Sequence, residues 1–118
     1  ALLSAFSKVI YLNNESLIDS VTAISGSGPG YIFYLVEALS QIGVDQGLLR
    51  KEAKILARET LIGSARLLET TNVDPKILKE NVTSPGGTTE AGLQVLESKT
   101  NGLYLLLKSF IFFHHLSF

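Results

Sequence analysis

A proline followed by two glycines, Pro85-Gly86-Gly87, constrains this chain more than any other feature. Apolar helical stretches lie on both sides, PKILKENV before and EAGLQVLE after, so the fold must turn sharply here between two helices. Hydroxyls flank the turn, with Thr83 and Ser84 on one side and Thr88 and Thr89 on the other. Short hydroxyls and unpaired backbone N–H groups at a helix start suit a small carboxylate. On the residues alone, a plain linker and an anion-binding turn fit about equally well.

Helical spacing recurs along the chain. Ser16 to about Ser25 carries Leu17, Ile18, Val21 and Ile24 on one face. A glycine-rich break is expected over Gly26 to Gly30, with Pro29 in the first turn of the next helix, where its missing N–H costs nothing. Ile32, Leu35, Val36, Leu39 and Ile42 then keep the i, i+3, i+4, i+7 rhythm, and Gly43 and Gly47 bracket the exit. Arg50 to Thr71 is the longest helical stretch, with Ala53, Leu56, Ala57, Leu61, Ala65 and Leu68 repeating. Its centre is Gly63-Ser64-Ala65. A glycine inside an exposed helix costs about 0.5–1 kcal/mol against alanine, so Gly63 points to close approach of another backbone, within the chain or across a dimer. Asp74-Pro75 supplies an N-cap and N1 proline for a helix to about Val82, Thr89 to Ser98 forms the next, and Asn101-Gly102 precedes a tail helix. Lys8 to Leu12 has the β-branched and aromatic character of a short strand, and Ala1 to Phe6 looks like the end of a helix. The fold class is all-α, with room for that one N-terminal strand.

Composition narrows the function classes. The 118 residues suffice for one domain, near the size where a partner subunit helps to complete the core. Apolar residues make up 46% and charged residues 18%, which fits packed structure rather than disorder. The net charge of −1, with both signs scattered, offers no footprint for nucleic acid. Without cysteine, disulfides, thiol catalysis and Cys-ligated zinc are excluded, and a cytoplasmic location fits. The first residues lack the charged n-region and apolar run of a signal peptide. Methionine is absent throughout, so the chain is expected to begin within a longer protein or to be processed from one. The tail LYLLLKSFIFFHHLSF is apolar, but Lys108 interrupts it and it falls short of the ~20 residues that span a bilayer, so it reads as a buried or interface helix and no membrane partner is expected.

Several constellations fail as catalytic signatures. The stretch VTAISGSGPGYIFYLVEAL mimics a dinucleotide fingerprint, but Tyr31 stands at the third glycine position and no second strand follows to carry Asp45. No lysine follows the glycines, so it is not a Walker loop. His114 and His115 are adjacent in the apolar tail, giving neither a serine triad nor enough ligands for a metal, and no metal is expected. Glu52, Glu59, Glu69, Glu80, Glu90 and Glu97 fall mainly at positions expected to face water, and none forms an acid–base dyad.

Two segments, DSVTAISGSGPGYIF (Asp19 to Phe33) and NVTSPGGTTEAGLQVLE (Asn81 to Glu97), closely resemble the pyrroline-5-carboxylate reductase family in wording, order and separation. The resemblance runs from Ala1 to about Leu103 and covers the family's helical C-terminal domain. It implies residues 1–15 as the end of a cofactor domain and 16–118 as the helical dimerisation and substrate domain, with 103–118 an atypical apolar tail. Enzymes of this family reduce 1-pyrroline-5-carboxylate to L-proline, in proline biosynthesis, with NADPH or NADH. The cofactor is held mainly by an N-terminal Rossmann domain that this chain does not contain. The resemblance further implies a homodimer of interlocked helices, open to higher assembly, and a separately encoded Rossmann half as a candidate partner. By it, Ser84, Pro85, Gly86, Gly87, Thr88 and Thr89 would bind the substrate carboxylate through backbone N–H groups, with Thr89 orienting the ring nitrogen. Ser25, Gly26, Ser27, Gly28 and Pro29 would line the site near the nicotinamide. Hydride transfer to a protonated C=N needs little acid–base machinery, which agrees with the missing dyad.

The tail departs from the family, whose last helix mixes Ala, Glu, Arg and Lys among apolar residues. The alternative is therefore a catalytically inactive remnant that only dimerises. A hydroxyacid dehydrogenase of similar plan would need a lysine in its first helical segment, and GPGYIFYLVEALSQIGV has none.

Overall fold

The computed structural model describes residues 17–116. The chain divides into two compact units at the boundary between Ile32 and Phe33. No strand occurs among the described residues, and the fold is all-α as the spacing predicts. The expected strand at Lys8–Leu12 and helix end at Ala1–Phe6 lie outside the described residues.

The first unit holds α1 (Ile18–Val21), a π-helical turn (Thr22–Gly26) and the start of α2 (Gly28–Asp45). Here the structure corrects the expected break over Gly26–Gly30, because only Ser27 separates the two helical segments. The Ser27 N–H reaches back to the Thr22 carbonyl at 3.3 Å and the Tyr31 N–H to the Ser27 carbonyl at 3.3 Å. The glycines add no side chain to crowd these wide turns, and Pro29 sits in the first turn of α2, where no N–H partner is needed.

The second unit continues α2 and adds α3 (Arg50–Thr70), α4 (Pro75–Asn81), α5 (Thr88–Leu96) and α6 (Leu103–Leu116). Gly43 lies inside α2, and Gly47 alone ends the helix. At φ +107° Gly47 takes the left-handed conformation that side chains resist. Its N–H donates to the Val44 carbonyl at 2.9 Å and the Leu48 N–H to the Gly43 carbonyl at 3.0 Å, which together close a Schellman cap. Gly43 serves packing: a Cβ there would lie 3.0 Å from Ala53 Cβ and 3.3 Å from Leu48 Cδ1. Asp74 caps α4 as the sequence predicts, its Oδ1 accepting the Lys76 N–H at 2.8 Å ahead of Pro75 in the first turn.

Very little is buried. Among the described residues the buried apolar side chains are Ala53 and Ala57 on α3, and Ser40 on α2 is the buried polar one. Phe33 (60%), Leu35 (49%) and Ile42 (53%) stay exposed on α2, as do Ile55 and Leu56 on α3. Fully burying such a side chain is worth ~1.5–3 kcal/mol, and this single chain leaves most of that unrealised.

The close approach expected at Gly63 does not come from the described residues, none of which lies within 4 Å of where its Cβ would be. Gly63→Ala is therefore expected to stabilise an isolated chain by roughly 0.5–1 kcal/mol. If a second copy supplies the approaching backbone, the same substitution weakens self-association instead. Sedimentation equilibrium on both chains reads the sign, and an unaltered association constant would place that contact elsewhere.

Candidate functional site

The turn between α4 and α5 is built from its own sequence. Pro85 presets the first corner, and Gly86 adopts φ +74°, the left-handed value that the second corner of a type II turn requires. The Gly87 N–H closes the turn on the Ser84 carbonyl at 3.0 Å. Gly87 is then the N-cap of α5, with its carbonyl accepting from Ala91 at 3.2 Å. A Cβ on Gly87 would stand 3.1 Å from the Ser84 carbonyl oxygen, so the second glycine is needed for space and the first for its dihedral.

Beyond the turn, the N–H groups of Thr88, Thr89 and Glu90 form the first turn of α5 and have no acceptor among the described residues. No side-chain cap covers them. Ser84, Gly86, Thr88 and Thr89 are exposed and Gly87 is half-buried, so these donors and hydroxyls open to solvent together. Free donors at the positive end of a helix of nine residues can hold a carboxylate without any charged side chain.

Sequence reasoning missed one residue here. Glu90, expected to face water, is half-buried, and its Oε2 accepts the Gly86 N–H at 3.0 Å. The signal was available, because Glu90 stands three residues after the N-cap, where a carboxylate folds back onto the turn. Glu97, in keeping with its reading as a surface acid, is exposed and pairs with Lys79, which ties α5 to α4. Both partners are substantially exposed, so the pair is worth little by itself and mainly sets the register of the two helices.

In the first unit, Ser25 and Gly26 belong to the π-helical turn, Ser27 follows it, and Gly28 and Pro29 open α2. The Ser25 hydroxyl donates to the Val21 carbonyl at 2.8 Å and so folds back on its own helix. Gly28 has no described residue within 4 Å of its Cβ position. Among the described residues, no group of three or more His, Cys, Asp or Glu side chains converges as a metal site would require.

Comparison with known proteins turns this geometry into a family. Residues 15–106 match the family model described as pyrroline-5-carboxylate reductase dimerisation. The chain belongs to that family. Among its pyrroline-5-carboxylate reductase relatives, the Arabidopsis thaliana protein is 50% identical over 84 residues, covering 71% of this chain and 30% of the relative. The protein of Synechocystis sp. is 47% identical over 97 residues, covering 82% and 36%. The solved pyrroline-5-carboxylate reductase of Coxiella burnetii superposes with a TM-score of 0.80 at 38% identity, over 91% of this chain and 39% of the other. The pyrroline carboxylate reductase of Plasmodium falciparum, determined with NADP bound, superposes with a TM-score of 0.77 at 32% identity, over 92% and 42%. The chain thus spans about a third of the length of these curated reductases. No described helix is long and apolar enough to cross a membrane.

Proposed function

We propose that this chain is the substrate-holding and dimer-forming part of a pyrroline-5-carboxylate reductase, which reduces 1-pyrroline-5-carboxylate to L-proline. The observation that carries the reading is the Ser84–Gly87 turn, which leaves the first N–H groups of α5 without acceptors inside a chain of this family. In this reading those N–H groups hold the substrate carboxylate, and Thr89 Oγ1 accepts a hydrogen bond from the protonated ring nitrogen. Anchoring the ring at both points fixes which face of the C=N bond is presented, and orientation is the main demand of this chemistry.

NADPH or NADH would supply the hydride. The described residues contain no parallel sheet and no phosphate-binding turn, so the cofactor is assigned to a domain outside them. The hydride adds to the imine carbon while the C=N π electrons pass to the nitrogen, which is already protonated. No base on this chain is consumed, in keeping with a site made of amides and hydroxyls. Ser25 to Pro29 are proposed to border the nicotinamide side, where backbone without bulky side chains permits close approach. Two copies joined through the exposed faces of α2 and α3 would form the homodimer, and the setting is proposed to be cytoplasmic.

The test measures NADPH oxidation with 1-pyrroline-5-carboxylate, using this chain alone and mixed with a separately expressed cofactor domain. Turnover in the mixture only is expected. Thr89→Ala in that mixture should lower kcat/KM by roughly tenfold to a hundredfold, the worth of one hydrogen bond to a charged group, with the oligomer unchanged. Unaltered kinetics would remove Thr89 from the site. The apolar residues 103–118 favour a second reading, an inactive remnant that dimerises; a folded chain that gives no turnover in either arrangement would select it.

A further inference from the structure

The acceptor that Glu90 offers to Gly86 is out of place for a simple helix cap. In a capping box the carboxylate three residues into the helix takes the N–H of the N-cap residue. Here the N-cap is Gly87, and its N–H is already committed to the Ser84 carbonyl at 3.0 Å. Glu90 Oε2 instead reaches one residue further back, to the N–H of Gly86. A carboxylate oxygen thereby rests on the turn, at the N–H two residues before Thr88, whose own N–H has no acceptor among the described residues.

The side chain also has somewhere else to go. Glu90 lines the groove between α4 and α5 together with Lys76, Lys79, Glu80 and Glu97. Lys79 is held by Glu97, whereas the Lys76 ammonium has no ion pair among the described residues. One rotation of Glu90 away from Gly86 would carry its charge toward Lys76 in that groove, where the two lysines are balanced by Glu80 and Glu97.

We propose that Glu90 is an internal competitor for the ligand carboxylate: it holds the Gly86 N–H in the free chain and releases it into the α4–α5 groove when a carboxylate ligand arrives. This rests on the reading of the turn as the carboxylate seat. Glu90 then sets affinity rather than the chemical step, because its interaction is made in the free state and broken in the bound one. A purely structural cap has the opposite sign, since removing it would loosen the turn and weaken the ligand.

The experiment uses the full chain labelled with nitrogen-15, as wild type, Glu90→Gln and Glu90→Ala, with L-proline as the probe. Before any ligand, the Gly86 amide proton in Glu90→Ala should move upfield as it loses its acceptor. On titration, the turn amides should report L-proline binding on the order of tenfold tighter in Glu90→Ala than in wild type, the equivalent of one hydrogen bond of ordinary net strength. Glu90→Gln keeps the shape and an acceptor oxygen but not the charge, and should fall between the two. It decides the matter if Glu90→Ala does not fold. Equal or weaker binding in the variants overturns the competitor while leaving the carboxylate seat standing. No perturbation of turn amides in any of the three chains removes the seat and the competitor together.

Discussion

Leu39→Glu is expected to convert a dimer into a monomer. Leu39 sits in the middle of the α2 stripe of Leu35, Leu39 and Ile42, all exposed in the single chain. If this chain worked alone, a glutamate at such a position would alter stability by no more than about 0.5 kcal/mol. Covered by a second copy, the same carboxylate would be stripped of water with no cation to meet it, at a cost of several kcal/mol. That is comparable to the whole stability of a domain, about 5–15 kcal/mol, so dissociation should be accompanied by loss of much of the helical signal. Multi-angle light scattering is expected to give at least a dimer for the wild type and a monomer for the variant, with circular dichroism recording the change in helix. A well-folded wild-type monomer would remove the interlocked dimer from the account. The expectation is physical before it is familial. Among the described residues the buried apolar side chains are two alanines, which leaves the apolar faces of α2 and α3 open to cover by a second copy.

Gly102→Ala should lower stability by about 3 kcal/mol, the upper part of the range for overpacking a rigid site. Gly102 is buried and immediately precedes α6, accepting the Leu106 N–H at 3.1 Å and donating to the Ser98 carbonyl at 3.0 Å. A Cβ there would overlap the Ser98 carbonyl oxygen and stand 2.6 Å from the Leu96 carbonyl oxygen and 2.7 Å from the Ser98 nitrogen. All three are backbone atoms, so no side chain can rotate aside. The connection between α5 and α6 would have to open, breaking the Ser98 hydroxyl contacts to the Thr100 and Asn101 N–H groups. Gly92→Ala is the control. It lies inside α5 with nothing within 4 Å of its Cβ position, and alanine there should stabilise by roughly 0.5–1 kcal/mol. Thermal melts of the two variants should therefore move in opposite directions. A Gly102→Ala chain that melts like the wild type would mean that this connection is laxer than its geometry implies.

Much of the fold was legible residue by residue, because helices announce themselves locally. The Asp74-Pro75 start, the long run from Arg50 and the Pro85-Gly86-Gly87 corner all rest on interactions between residues close in sequence, and each appears where expected. The break over Gly26 to Gly30 was overread for a related reason. Glycine removes steric crowding but does not forbid a helical turn, and a π-helical segment carries the chain through to Gly26. Gly43 and Gly47 looked equivalent as exit signals, yet one packs on Ala53 and only the other takes a positive φ. Glu90 was misjudged as a solvated acid because the side-chain pattern says which face a residue shares, not which backbone N–H lies in reach.

By itself, the sequence determined the helical class, the corner between α4 and α5 and the family wording of two segments. Each follows from local dihedral preference, hydrophobic period or residue identity, none of which needs a distant contact. Only the tertiary structure decided that Gly86 spends its N–H on Glu90, that Gly102 is packed against backbone, and that the helices bury so little among themselves. These depend on distances between groups brought together by the turn geometry and on area left open to water. A linear pattern carries no measure of either.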